Sequence, residues 1–249
     1  MARMYRFFLR NSTITPGDFD LNAQSEPEII FQLSTVLRAK AGDNVVLLNN
    51  GNTTECKYSV LEANKHHVKL EFMESKKNEN ELDFELNILI CLPNKPDKLD
   101  FILQKAVELG ATGITLLESD FSQMKHHLKP ERIQKILIEA AEQSERAKIT
   151  DFIIGGKLDQ YLKKHAHHEQ ILVAMERMNK NTNTYELFKD QIKKYSSISL
   201  LIGPEGGFSE KEKNLINDLQ LNCFSLGKRV LRMETAMIAS AAIISILEK

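Results

Sequence analysis

The sequence predicts an α/β protein in two parts: a small β-barrel in residues 1–73, then a mainly parallel sheet covered by helices in residues 82–249. Short strand-like runs between turn residues fill the first part. A polar run free of apolar side chains, Glu74–Glu81 (ESKKNENE), reads as the linker, 74–81. Beyond it, apolar strands alternate with helical patterns, the signature of a parallel sheet buried on both faces.

In the first part, Tyr5–Leu9, Asn44–Leu48, Cys56–Leu61 and His67–Phe72 carry the β-branched, aromatic or alternating residues of strands. Gly42-Asp43 and Asn49–Asn52 punctuate them as turns. One short helix fits from Pro27 to Leu37, with proline at a first-turn position. In the second part, strands are expected at Leu86–Leu92, Ile114–Leu117, Gln170–Met175, Ser197–Ile202 and Asn222–Leu226. Helical spacing joins Leu99, Ile102, Leu103 and Ala106, and again Ile133, Ile136, Leu137 and Ala140. No internal repeat is visible.

The chain has 249 residues, 42% hydrophobic and 27% charged, with a formal net charge of -1. Bulk charge therefore announces no nucleic-acid partner, and any RNA contact rests on local basic patches. Cys56, Cys91 and Cys223 lie far apart without a CxxC pair, so buried thiols in a reducing compartment are expected, not a disulfide framework or zinc site. Met1–Arg6 has no apolar signal core, and Ala236–Leu247 is too short to span a bilayer; the expectation is a cytoplasmic protein with no membrane association. His66-His67, His126-His127 and His165–His168 lack the spacing of a zinc site and read as surface histidines, so no metal is expected. Glu139, Glu142 and Glu145 read as the wet face of their helix.

Two loops stand out. Ser199–Ile202 runs as an apolar strand into Gly203-Pro204-Glu205-Gly206-Gly207-Phe208-Ser209. Glycine permits positive φ and close backbone approach, proline fixes its own φ, and Ser209 with Glu212 forms a capping box that starts a helix. Loops after the C-terminal ends of parallel strands are where α/β folds bind ligands; a plain strand–turn–helix connection is the alternative. The pattern is neither a P-loop nor GxGxxG. The second loop, Ser225–Ala236 (SLGKRVLRMETA), again passes from a strand through glycine into a helix. A solvated charge run is the bland account. Against it, Val230 and Leu231 interrupt the charges, and Met233–Leu247 is apolar around most of its circumference, so it must be buried on more than one side.

The pair LLIGPEGGFSEKE and LGKRVLRMETA resembles the signature of the RsmE family of 16S rRNA uracil-N3 methyltransferases, within the trefoil-knotted SPOUT superfamily. Further agreement lies in RFF at Arg6–Phe8, VLRAKAGD at Val36–Asp43, KLDFILQKAVELGAT at Lys98–Thr112 and EAAEQSER at Glu139–Arg146. The chain departs from the family pattern at Phe121, where an arginine is usual, at Thr150, where a proline is usual, and by one extra residue before Lys98.

The resemblance implies a PUA-like RNA-binding barrel before a knotted methyltransferase domain, a homodimer, and 16S rRNA of the small ribosomal subunit as partner. It implies that the loops hold S-adenosyl-L-methionine, through Leu201, Ile202, Gly203, Pro204, Gly206 and Gly207 and through Leu226, Gly227, Val230, Leu231, Arg232 and Thr235. It also favours RNA contact for Arg6 and Arg38, which its motifs cover. Lys95, Lys98 and Lys105 form a further candidate phosphate-binding set, with an exposed structural role as the alternative. Methyl transfer to a uracil N3 requires that the N3 proton leave and the base be unpaired. Arg232 is the candidate cation for the resulting anion. Glu205 or Glu234 would accept a proton or orient Arg232. The alternatives are a knotted enzyme acting on a ribose 2′-hydroxyl or another base, and a non-catalytic RNA-binding or ribosome-assembly factor.

Overall fold

The computed structural model describes residues 3–122, 128–176 and 183–247. The chain divides into two compact units, Met1–Glu81 with Ala141–Ile149, and Leu82–Ala140 with Thr150–Lys249.

The first unit contains β1 (Met4–Leu9), β2 (Phe19–Asn22), α1 (Pro27–Phe31), β3 (Asn44–Asn49), β4 (Thr54–Ala63) and β5 (His67–Lys77). Its five strands run in the order β1-β3-β4-β5-β2. β1 lies parallel to β3, and the other pairs are antiparallel. The order is open between β1 and β2 among the described residues. Pro27 stands in the first turn of α1 as expected, but the helix widens into a π turn over Gln32–Val36. Phe7, Leu21, Leu33, Leu47, Tyr58 and Leu70 pack in one core.

The expected linker begins as strand, since β5 continues through Lys77. The polar residues after it are engaged within the unit. Asn78 Nδ2 donates to Glu55 Oε2 at 3.0 Å and to the Glu145 carbonyl at 2.9 Å. Glu81 accepts from Arg146 Nη2 at 2.6 Å and from the Ala147 and Lys148 N–H groups. Burial pushes the Glu81 carboxyl up, but Arg146 and the two amides outweigh it and leave the group below its ordinary value. Glu142 is also no wet-face residue, because its Oε1 accepts from the Phe8 N–H at 3.0 Å.

The second unit contains β6 (Glu85–Cys91), α2 (Pro96–Glu108), β7 (Gly113–Glu118), β8 (Asp151–Lys157), α4 (Leu158–His165), β9 (Ile171–Ala174), α5 (Thr184–Lys194), β10 (Ser197–Ile202), α6 (Glu210–Asp218), β11 (Asn222–Phe224) and α7 (Met233–Ile246); α3 (Pro130–Gln143) belongs to it through Ala140. All six strands are parallel, in the order β11-β9-β10-β6-β7-β8. β6 and β10 are central and nearly all buried, which is why they read as continuous apolar runs. β8 was not foreseen. It is an edge strand with Ile153 and Ile154 exposed and a bulge near Gly155-Gly156.

The last helix packs against α2, α5 and β10. It buries Met233, Met237, Ser240, Ala241 and Ile244. Ala239, Ala242 and Ile243 remain partly exposed, and Ile246 is 83% exposed. Among the described residues, no helix is long and apolar enough to cross a membrane. The three cysteines are free. His126-His127 lies outside the described residues.

Candidate active site

β9, β10 and β11 deliver their C-terminal ends to one cavity of about 800 Å³. β10 ends at Ile202 and hands the chain to the glycine loop. The loop stops where the sequence says it should, because Ser209 Oγ accepts from the Glu212 N–H and the Glu212 carboxylate accepts from the Ser209 N–H at 2.8 Å. This capping box is braced from a second loop. The Asp120 N–H donates to Glu212 Oε1 at 2.8 Å, and Ser209 Oγ donates to Asp120 Oδ2 at 2.6 Å.

The glycines of the loop do different things. Gly207 has φ +71°, a conformation that β-branched side chains resist. Gly206 has no such φ; a Cβ there would stand 3.1 Å from the Cβ of Phe121, so its smallness admits the neighbouring loop. Phe121 is partly exposed beside it.

Ile202, Gly203, Pro204, Gly206 and Gly207 line the cavity from the first loop, and Leu226, Val230, Leu231 and Arg232 line it from the second. Three residues expected with them do not. Leu201 belongs to the hydrophobic core, because strand alternation turns it away. Gly227 and Thr235 are exposed and off the lining. Met175 and Glu176, from the end of β9, line the cavity and were not foreseen. The rule that parallel strands present ligands at their C-terminal ends already pointed to them.

The charged groups are unevenly engaged. Arg232 is the N-cap of α7, is exposed on the lining, and has no salt bridge among the described residues. Glu205 accepts from Lys98 Nζ at 2.6 Å and from the Asn94 N–H at 3.3 Å. Burial pushes the Glu205 carboxyl up, yet Lys98 and the backbone donors pull it below its ordinary value. Glu234 lies off the lining, with Oε2 buried, without a hydrogen bond among the described residues, and 3.8 Å from Lys98 Nζ.

Lys98, expected to meet RNA phosphates, therefore lies on the cavity between two carboxylates. Lys105 Nζ is held by Glu108 at 2.8 Å, and Lys95 is exposed at the N-cap of α2. In the first unit Arg38 is exposed and has φ +52°. Arg6 does not present its charge to solvent. Its side chain is 10% exposed, pairs with Glu55 at 2.6 Å and donates to the Arg146 carbonyl. A guanidinium so committed is a structural group, which corrects the expectation of RNA contact there. Among the described residues, no group of three or more His, Cys, Asp or Glu is placed to hold a metal.

An α/β unit whose glycine loops close a cavity at the ends of parallel strands is matched over residues 80–245 by a family model described as an RNA methyltransferase domain. Residues 33–73 match one described as an RNA methyltransferase PUA domain. The chain belongs to the family of ribosomal RNA small subunit methyltransferase E. A Synechocystis protein of that name is 32% identical over 87% of this chain and 70% of its own length. One from Rickettsia conorii is 31% identical over 88% and 86%. The crystal structure of the Neisseria gonorrhoeae protein of the same name, bound to S-adenosyl methionine, is 27% identical, with a TM-score of 0.82 over 98% of both chains.

Proposed function

We propose that the chain methylates N3 of a uridine in 16S rRNA of the small ribosomal subunit, with S-adenosylmethionine as donor. The observation that carries this is the joining of both predicted loops around one cavity in a chain whose named relatives are small-subunit rRNA methyltransferases. The cofactor fits the residues present. Ile202, Leu226, Leu231 and Met175 give apolar wall for an adenine ring, while the glycine loop and the start of α7 offer backbone groups to polar substituents.

S-adenosylmethionine, when bound, would supply a methyl group activated by its sulfonium. The protein must exclude water, hold the base and manage the N3 proton. Arg232, with no salt bridge among the described residues, is the cation for the uracil anion. Glu205 is held by Lys98 and serves as an anchor; Glu234, off the lining with one oxygen unbonded among the described residues, is the candidate for orienting Arg232. The exposed cations Arg38 and Lys95 are the remaining candidates for RNA phosphates.

The finer architecture follows the same proposal. The PUA-like unit is a barrel that grips RNA, and the β10–α6 and β11–α7 loops belong to a trefoil knot. The partly exposed apolar side of α7 meets its twin in a homodimer. The enzyme works in the cytoplasm without a resident metal. Mass spectrometry of rRNA from cells lacking the gene, with and without its restoration, tests the function. One methyluridine in 16S rRNA should vanish and return; an unchanged modification pattern overturns the proposal.

A further inference from the structure

We propose that Lys98 is a positioning residue for the cofactor loop, tying Glu205 to the start of α2 while sharing its charge with Glu234 at the first turn of α7. The inference rests on the methyltransferase reading of this cavity. Three segments remote in sequence meet at one nitrogen: Nζ stands 2.6 Å from Glu205 Oε1 and 3.8 Å from Glu234 Oε2. Glu205 is the middle residue of the glycine loop, between Pro204 and Gly206, so fixing its side chain fixes the turn. The Asn94 N–H holds the same oxygen from the segment preceding α2.

An isolated surface ion pair contributes little. Here the two side chains are only 23% and 27% exposed, and one ammonium answers two carboxylates. Removing it leaves two carboxylates without the cation they share, Glu205 on the cavity lining and Glu234 behind it, and their repulsion loosens the loop. An ammonium already flanked by two carboxylates is also a poor phosphate ligand, which separates Lys98 from the exposed Lys95.

The test uses the purified full chain and S-adenosylmethionine alone in calorimetry, then methyl transfer to rRNA. Lys98→Met should weaken cofactor binding roughly 10-fold with the melting temperature nearly kept. Lys98→Arg should recover most of the affinity. Glu205→Gln should share the defect, and the double variant should be no worse than the poorer single one, as expected for two members of one contact. The pH profile separates positioning from general destabilisation. Without Lys98, burial still pushes the Glu205 carboxyl up while its cation is gone, so protonating Glu205 relieves the repulsion and Lys98→Met should regain affinity relative to the unaltered protein as pH falls from about 7.5 to about 4.5. Cofactor affinity within about twofold of the unaltered protein, or a salt-dependent loss of RNA binding with cofactor binding intact, overturns the role of Lys98 alone. Failure of the unaltered protein to bind S-adenosylmethionine overturns the methyltransferase reading itself.

Discussion

Arg232 is the residue whose substitution tests binding against chemistry. It lines the cavity from the N-cap of α7, and no salt bridge among the described residues holds it. If it stabilises the uracil anion, Arg232→Ala leaves cofactor affinity within a few-fold while methyl transfer falls by roughly two to three orders of magnitude. Arg232→Lys recovers only part, since an ammonium lacks the planar fork of the guanidinium. Single-turnover rates at saturating RNA and cofactor check this, and unchanged rates remove Arg232 from the chemistry. Arg232 was legible in the sequence because it sits inside a loop motif. The role of Lys98 was not: spacing on α2 showed only that it lies near the helix start, and its two carboxylate partners come from segments more than a hundred residues away in the chain. Arg6 differed in the opposite direction: a family motif favoured RNA contact there, whereas its partner Glu55 is a tertiary contact that the sequence does not show.

At the scale of elements, α7 carries the sharpest consequence. Its buried face is committed to α2, α5 and β10, whereas Ile243 and Ile246 keep apolar surface outward. An Ile243→Asp chain should run as a monomer in light scattering at micromolar concentration, because a carboxylate in an apolar interface is costly. A dimer that survives the change would exclude this face of the helix from the interface. The sequence revealed the central strands well, since burial on both faces writes itself as runs rich in Leu and Ile in β6 and β10. The edges were silent. β2 buries only Leu21 among four residues, and β8 contains two glycines and exposed isoleucines, so neither shows alternation. The capping box before α6 was readable because its two residues lie three apart, whereas its brace from Asp120 is a tertiary contact.

At the scale of the molecule, the first unit depends on charges enclosed within it. Arg146 is buried against Glu81, and Arg6 against Glu55. Arg146→Ala should destabilise the protein by about 3–5 kcal/mol, because the Glu81 carboxylate then lacks its cation. The same pairs set an acid limit. Burial raises both Glu81 and Glu55, but the Arg146 pairing for one, and Asn78 and Arg6 for the other, outweigh it and hold both carboxyls below their ordinary values. Their contribution is therefore complete above the unfolded value of about 4.3 and is lost as pH falls through the lower folded values. Thermal melts from pH 7 down to about 3 should show this loss in the unaltered protein and a shallower one in Arg146→Ala; parallel curves would deny the pair its part.

The assignment of Ala141–Ile149 to the same unit as Met1–Glu81 has a consequence in time. A chain is made from its N-terminus, so β1 through β5 leave the ribosome well before the segment that supplies Arg146 and Glu142. At ~5–20 residues per second the wait lasts on the order of several seconds. During it Glu81 has no arginine, and the Phe8 N–H has no carboxylate acceptor. The nascent first unit is thus an unfinished body, completed only when part of the second has already been synthesised.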